Sequence, residues 1–153
     1  MKTVICLLTC LLVFCPRSAL GAEDKPMSCY LQLVRGNDDA TPPTPDAKPV
    51  GPVLDKKLRA VFKWQHFWEL KREKVSLKTG EKVRRCMSAE REVELERTTA
   101  AQTTIRVFRN GKLTVVEKQA AEAPFSVIGG DKDGDQSWFI VVRRGEPQTP
   151  SND

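Results

Sequence analysis

The chain has 153 residues, of which 40% are hydrophobic and 29% charged, and its formal net charge is +5. This length suits one domain of ordinary size, and the apolar content is high enough for a packed core, so a wholly disordered chain is excluded. No apolar run reaches the roughly 20 residues that a membrane-spanning helix needs, which argues against an integral membrane protein.

Residues 1–21 have the three-part layout of a secretory signal peptide. A charge at Lys2 precedes an apolar stretch from Val4 to Phe14, and a run of small residues ends at Gly21. This order predicts export and cleavage after Gly21. We therefore expect a secreted or periplasmic protein, with no transmembrane span after the signal peptide is removed.

Removal of the signal peptide changes the cysteine count. Of the five cysteines in the chain, only Cys29 and Cys86 remain. An even pair in an oxidising compartment predicts one disulfide bond, and the alternative is two free thiols buried as small hydrophobic residues. Lipid attachment at Cys15 is disfavoured, because Phe14 stands where lipoprotein signals require a small residue.

The mature chain begins with a strand, a loop and a helix. Residues 22–35 include the alternation of apolar and polar residues that is typical of a strand. Residues 36–52 hold five of the ten prolines, which indicates an extended surface loop. Leu54–Phe62 changes to a helical period and predicts one short amphipathic helix. Its apolar stripe consists of Leu54, Leu58, Val61 and Phe62.

Beyond the helix the patterns are those of short β-strands. Thr79-Gly80 and Asn110-Gly111 lie between alternating segments, and both predict hairpin turns. Ser137–Arg143 is apolar on both faces, so we expect it in the middle of a sheet or under the helix.

The whole pattern predicts a single, mainly β domain. About eight short strands at close spacing favour an antiparallel sandwich or a partly open barrel, and the helix over 54–62 would cover one face or end. Residues 53–146 form the rest of this domain after the proline-rich loop. Residues 147–153 are expected to be a disordered tail.

His66 and Phe67 lie next to each other in an alternating strand that starts at Trp64. The alternation places His66 between Trp64 and Trp68 on the buried face, and it places Phe67 on the polar face, where it would be exposed. His66 is the only histidine, which excludes a metal site built from several histidines. A packed, hydrogen-bonded histidine is favoured over a catalytic one, since no serine stands in a recognisable nucleophile motif.

Asp131, Asp133 and Asp135 match the first acidic positions of a calcium-binding loop. Carboxylates at alternate positions can converge on a hard cation. However, Gln136 replaces the glycine of such a loop, and Val142 replaces the bidentate glutamate that closes the coordination shell. The alternative is an acidic turn, and we predict no metal site beyond this weak calcium candidate. Phosphate-binding and dinucleotide motifs are absent from the sequence, and we expect no cofactor.

Positive charge is concentrated in residues 56–91, which carry twelve Lys and Arg against four Glu. An anionic protein, polysaccharide or lipid surface could bind such a face. The candidate binding face consists of Phe67, Lys78, Lys82, Arg84 and Arg85. The alternative is neutralisation by the glutamates of the next strand, at positions 92, 94 and 96. Without the signal peptide, 23 basic residues oppose 20 acidic ones, and this modest excess gives no reason to expect nucleic acid.

Three functional hypotheses follow from these patterns. The first is an exported, non-catalytic binding module of the cell envelope or the extracellular space. The second is a structural or assembly subunit of the envelope, which a long unpaired strand edge would favour. The third is a small hydrolase that uses His66, which requires a pocket around this residue and a nucleophile within hydrogen-bond reach.

Overall fold

The computed structural model describes residues 24–148, and within this range the chain forms nine strands and one helix. The predicted signal peptide at 1–21 lies outside the described residues, as does the end of the predicted tail from residue 149. The elements are β1 (Met27–Asn37), β2 (Lys48–Pro49), α1 (Pro52–Val61), β3 (His66–Leu77), β4 (Lys82–Cys86), β5 (Arg91–Thr99), β6 (Gln102–Arg109), β7 (Lys112–Ala120), β8 (Phe125–Asp133) and β9 (Gln136–Arg143).

The strands form two antiparallel sheets. The large sheet has the order β2-β3-β1-β9-β8, and the small sheet has the order β4-β5-β6-β7. Within residues 24–148, neither sheet closes into a barrel. This architecture confirms the mainly β, sandwich-like fold with one short helix. β8 and β7, which are consecutive in the chain, are edge strands of the large and the small sheet.

The large sheet is covered on both of its faces. Side chains such as Leu31 and Ile140 pack against the small sheet, whereas Val34 and Phe139 pack on the opposite face against α1. β9 therefore buries both faces, as its apolar sequence predicts, and it lies between β1 and β8. The helix thus completes a third layer over the large sheet.

Helix α1 is anchored by Leu54 and Leu58, each 2% exposed. It begins at a proline, whose fixed φ suits the first helical turn. It ends at Val61, which is 74% exposed, so the prediction that Val61 belongs to the buried stripe is wrong. Phe62 leaves the helix in an extended conformation, and its ring packs 4.6 Å from that of Phe139.

Phe67 is buried, at 3% exposure, and the prediction that it is exposed is wrong. The alternating pattern correctly places Phe67 and Trp68 on different faces of β3. However, α1 covers the face that the sequence identifies as polar. Phe67 packs there against Phe139, with ring centroids 5.9 Å apart. The β1–β3 register also shifts between Leu33 and Val34, which leaves Leu70 as the extra residue of a bulge. The residues of β3 after Leu70 therefore lie on the opposite face from the one that strict alternation from Trp64 predicts.

Of the two expected hairpins, one is confirmed and the other is wrong. Asn110 and Gly111 link β6 to β7 with φ values of 50° and 74°, as a two-residue hairpin turn requires. By contrast, β3 and β4 belong to different sheets, so Thr79-Gly80 is a corner between the sheets. The corner is held by Arg97, whose carbonyl accepts a hydrogen bond of 2.7 Å from the amide of Gly80.

The predicted disulfide between Cys29 and Cys86 is absent, and both thiols are free. Cys29 is fully buried between the two sheets, whereas Cys86 is exposed at the end of β4, an edge strand of the small sheet. The two side chains therefore occupy different environments on different sheets. Compartment and cysteine count could predict a pair but not its geometry.

Candidate functional site

The four basic residues of the predicted binding face do not share one surface. Lys82 and Arg84 lie on the same side of β4, whereas the alternation of the strand turns Arg85 to the other side. Arg85 forms an ion pair of 3.4 Å with Glu73 of β3. Lys78 lies in the corner between the sheets. The predicted basic face is thus divided among three locations.

The outer face of the small sheet neutralises its own charge. Lys82 and Arg84 lie opposite Glu96 and Glu94 in the β4–β5 register, which confirms the predicted alternative of cross-strand pairing. We call this network the charge ladder, and its ion pairs are Lys82–Glu94 (3.5 Å), Arg84–Glu92 (2.7 Å), Arg106–Glu94 (3.1 Å) and Arg106–Glu96 (2.6 Å). A hydrogen bond from Arg106 also lowers the pKa of Glu96. The ladder leaves little uncompensated charge for a partner.

His66 is half-buried, and the expectation of a buried, hydrogen-bonded histidine is wrong. Its ring stacks on that of Trp68, with centroids 6.1 Å apart. Among residues 24–148, no side chain or backbone group forms a hydrogen bond with the imidazole. The catalytic alternative requires a nucleophile within hydrogen-bond reach of this ring, and within residues 24–148 no nucleophilic side chain forms a hydrogen bond with it.

The three aspartates of the calcium candidate lie on the hairpin between β8 and β9. Asp133 accepts a hydrogen bond of 3.3 Å from the indole of Trp138, and Arg91 stacks 4.4 Å from the same ring. Within residues 24–148, no group of three or more acidic, histidine or cysteine side chains is placed to hold a metal ion. The aspartates Asp131, Asp133 and Asp135 are thus not brought together as a coordination shell.

A buried polar cluster on the helix-side face of the large sheet was not predicted. Glu69, which the alternation places on a solvated face, is only 8% exposed. The side chain of Gln32 donates a hydrogen bond to it, and Arg72 donates two, at 2.8 and 3.1 Å. Because a buried carboxylate needs such partners, this cluster has a structural explanation.

The most distinctive open surface is an apolar groove between α1 and β8. It has a volume of about 340 Å³. We call it the α1–β8 groove, and its apolar lining consists of Leu58, Ala60, Val61, Phe62, Phe125 and Val127. Leu58 is buried at its base, whereas Val61 is largely exposed at its rim. A groove of this composition exposes apolar surface that water solvates poorly.

The inner wall of the groove depends on two glycines. Gly129 and Gly130 have φ values of 112° and 99°, and one of them is the extra residue of a bulge in β8. A Cβ atom on Gly130 would lie 2.9 Å from Cε1 of Phe62. The bare backbone of this glycine therefore makes room for the Phe62 ring, which in turn contacts Phe139. The bulge and the groove are parts of the same local arrangement.

The groove runs beside a free edge of the large sheet. β8 pairs only with β9, in a register that begins with Phe125 opposite Arg143. Phe125 and Val127 face α1, while Ser126 and Ile128 are buried toward the other side. The backbone groups on the outer edge of Phe125–Ile128 have no ladder partner within residues 24–148.

One cation lies at the aromatic end of this groove. The ammonium group of Lys57 lies 4.6 Å from the centroid of the Phe125 ring. Arg143 stands opposite Phe125 in the register, but it does not line the groove, and its charge interacts with those of Arg72 and Glu69 in the buried polar cluster. Burial and the charge of Arg72 lower the pKa of Arg143, and the charge of Glu69 acts in the opposite direction. Among residues 24–148, Lys57 has no carboxylate partner within 4.0 Å, in contrast to the basic residues of the charge ladder.

The sequence contains a partial signal for the groove. Gly129-Gly130 at the end of an apolar strand indicates a bulge, and Val61 lies at the last helical position. Neither feature reveals that α1 packs alongside β8, because this neighbourhood depends on the order of strands in the large sheet.

Comparison with known proteins identifies no relative. No protein-family model, no curated protein and no solved structure matches the chain. Within residues 24–148, the helix is too short and too polar to cross a membrane.

Proposed function

We propose that the chain is an exported, non-catalytic binding module that docks a partner protein in the α1–β8 groove. The observation that carries this proposal is an apolar groove whose rim residue, Val61, is 74% exposed. The layout of residues 1–21 supports export. The partner is then a protein of the cell envelope or of the extracellular space.

Burial of the groove supplies the driving force for binding. Removing apolar surface from water contributes about 25 cal/mol per Å², and aromatic side chains such as Phe125 contribute most when a partner covers them completely. The charge ladder contributes less binding free energy, because a partner would have to displace ion pairs that already exist. The groove is therefore favoured over the basic residues that the sequence suggested.

Affinity capture with the wild-type chain and three variants as baits tests this proposal. The first variant is Val61→Gln, which places an amide at the groove rim. The second is Val53→Gln, which makes the same change at a residue of α1 that is 49% exposed and does not line the groove. The third replaces Lys78, Lys82, Arg84 and Arg85 with Gln.

We expect the partner to bind the wild-type chain and to be lost only with Val61→Gln. Its dissociation constant, measured with purified proteins, should rise by about tenfold or more for this variant. Both other variants should bind within about twofold of the wild type, as substitutions outside an interface do. Equal loss with Val61→Gln and Val53→Gln, or loss only with the four-residue variant, would refute the groove as the binding site.

An assembly role is the second candidate, and one observation favours it. β7 is an edge strand of nine residues on which Leu113 and Val116 are 51% and 54% exposed. Exposed apolar edges can pair with another chain. Sedimentation that shows a constant oligomer, which dissociates after Val116→Lys, would support this role. A monomer at all concentrations would oppose it.

A further inference from the structure

We propose that the occupant of the α1–β8 groove is an extended, acidic segment of the partner, which adds to the large sheet as a strand next to β8. This inference rests on the proposed function and specifies the conformation and the chemistry of the ligand. Three features carry it: the free backbone edge, the alternation of side chains along that edge, and the cation Lys57, which has no carboxylate partner within the described residues.

The backbone edge favours an extended occupant over a helical one. Phe125–Ile128 forms a regular ladder with β9 on one side and has no strand partner on the other within the described residues. A strand that pairs with this edge satisfies its outward N–H and C=O groups, which a helix cannot do. The bulge at Gly129 and Gly130 interrupts the regular edge. The pairing segment is consequently short, on the order of four to six residues.

The side chains define an alternating pattern for the ligand. Phe125 and Val127 project into the groove, so every second residue of an added strand stands beside them and below Val61. These positions of the ligand should be apolar, because the lining offers them almost only carbon atoms. The intervening positions project to the opposite face of the strand.

The charge at the groove defines the flanking residues of the ligand. Lys57 lies beside Phe125 and has no carboxylate partner within the described part of the chain. Arg59, one helical turn from Asp55, is already paired at 2.6 Å. A carboxylate of the ligand next to its apolar residues would pair with Lys57. We therefore assign an acidic rather than a basic or neutral segment.

Selection from a display library of random short peptides tests this inference. The chain, expressed in full with its own leader, serves as the target, and peptides that also bind Val61→Gln are removed. We expect the retained peptides to share apolar residues at alternate positions and an excess of Asp and Glu. Lys57→Gln should weaken their binding by about three- to tenfold, with the difference shrinking as salt is added.

Backbone methylation of a retained peptide then tests the strand pairing. N-methylation at every second residue removes amide donors from one edge of the peptide, and shifting the pattern by one residue removes them from the other edge. We expect one pattern to reduce the affinity by at least about tenfold and the other to have a much smaller effect. Equal effects of the two patterns would overturn the strand pairing.

The outcomes separate this inference from the proposed function. Peptides that depend on Val61 but show helical spacing, or that lack acidic residues, would refute the extended acidic ligand and retain the groove as a binding site. A selection in which no peptide depends on Val61 would count against both. The capture experiment with the natural partner then decides whether the groove binds at all.

Discussion

The outer face of the small sheet and the α1–β8 groove differ in whether their charged side chains have ion-pair partners and whether their apolar side chains are covered. The charge ladder contains many charged side chains, and its ion pairs range from 2.6 to 3.5 Å. The groove contains one charged side chain, Lys57, which has no ion-pair partner within residues 24–148. A high density of charge therefore does not by itself identify a binding surface. A binding surface is better indicated by the charges without ion-pair partners, the free backbone groups and the uncovered apolar side chains that remain after the strands have paired.

The same difference applies to stability. Ion pairs at a protein surface stabilise a fold by only about 0.2–1 kcal/mol each. Burial of one leucine or phenylalanine contributes about 1.5–3 kcal/mol. The base of the groove is formed by such a residue, Leu58, and Phe62 of its wall packs against the buried Phe139. We therefore expect substitutions at the base of the groove to affect stability much more than substitutions in the ladder.

The largest expected effect is that of Leu58→Ala, which removes the anchor of α1 at the base of the groove. Truncation of a leucine that is 2% exposed should lower the free energy of unfolding by about 2–4 kcal/mol. Urea denaturation measures this change. Val61→Ala, on the same helix but exposed, should stay within about 0.5 kcal/mol of the wild type. Similar losses at both positions would contradict the assigned packing of α1.

A slightly smaller effect is expected for Gly129→Ala at the bulge. The new Cβ atom would lie 2.6 Å from the carbonyl oxygen of Trp138, at a φ of 112° that L-residues avoid. We expect a loss of about 2–3 kcal/mol from backbone strain and steric conflict. Gly134→Ala is the control, because its φ is 65° and no atom lies within 4 Å of the new methyl group. It should cost only about 1 kcal/mol, as expected for Ala in the left-handed region.

A test of the charge ladder is to replace its three glutamates, Glu92, Glu94 and Glu96, with glutamine. The loss of stability should be clearly smaller than that of Leu58→Ala, because the ion pairs lie on the outer, partly solvated face of the small sheet. The basic side chains Lys82, Arg84 and Arg106 then lose their partners, so the variant should elute from a heparin column at higher salt than the wild type. Unchanged elution would show that the ladder does not mask these cations.

The smallest expected effect is a loss of stability as the pH falls below about 4.5. An amide hydrogen bond from Thr79 lowers the pKa of Asp24 below its ordinary value of 3.8, and Arg106 lowers that of Glu96 below 4.5. Because these pKa values are lower in the folded than in the unfolded chain, their stabilising contributions are complete above about pH 4.5 and are lost as the pH falls through the folded values. Urea denaturation between about pH 5 and pH 2.5 measures the loss. Glu96→Gln should reduce this dependence, and an unchanged profile would contradict the role of Glu96.

Local patterns in the sequence were sufficient for much of the fold. The period of Leu54 and Leu58 predicted the helix, and Asn110-Gly111 predicted a hairpin. The two-sided apolar sequence of Ser137–Arg143 predicted a strand covered on both faces. Each of these features depends on residues within one or two elements, where periodicity and turn geometry act directly.

The remaining features depend on which elements become neighbours. Phe67 is buried because α1 covers its face of the large sheet, and Thr79-Gly80 is a corner because β3 and β4 join different sheets. Cys29 and Cys86 remain apart for the same reason. The groove itself exists because α1 lies over a sheet whose edge strand, β8, comes late in the chain. No local pattern encodes these long-range arrangements.

Hydrogen–deuterium exchange of the chain, alone and bound to a partner or a retained peptide, is the most direct test of the groove. Binding in the α1–β8 groove should slow exchange of the outward-facing amides in Phe125–Ile128 and leave Lys82–Cys86 unchanged. Slower exchange in Lys82–Cys86, with no change in Phe125–Ile128, would contradict the groove and return the binding site to the basic residues of the small sheet.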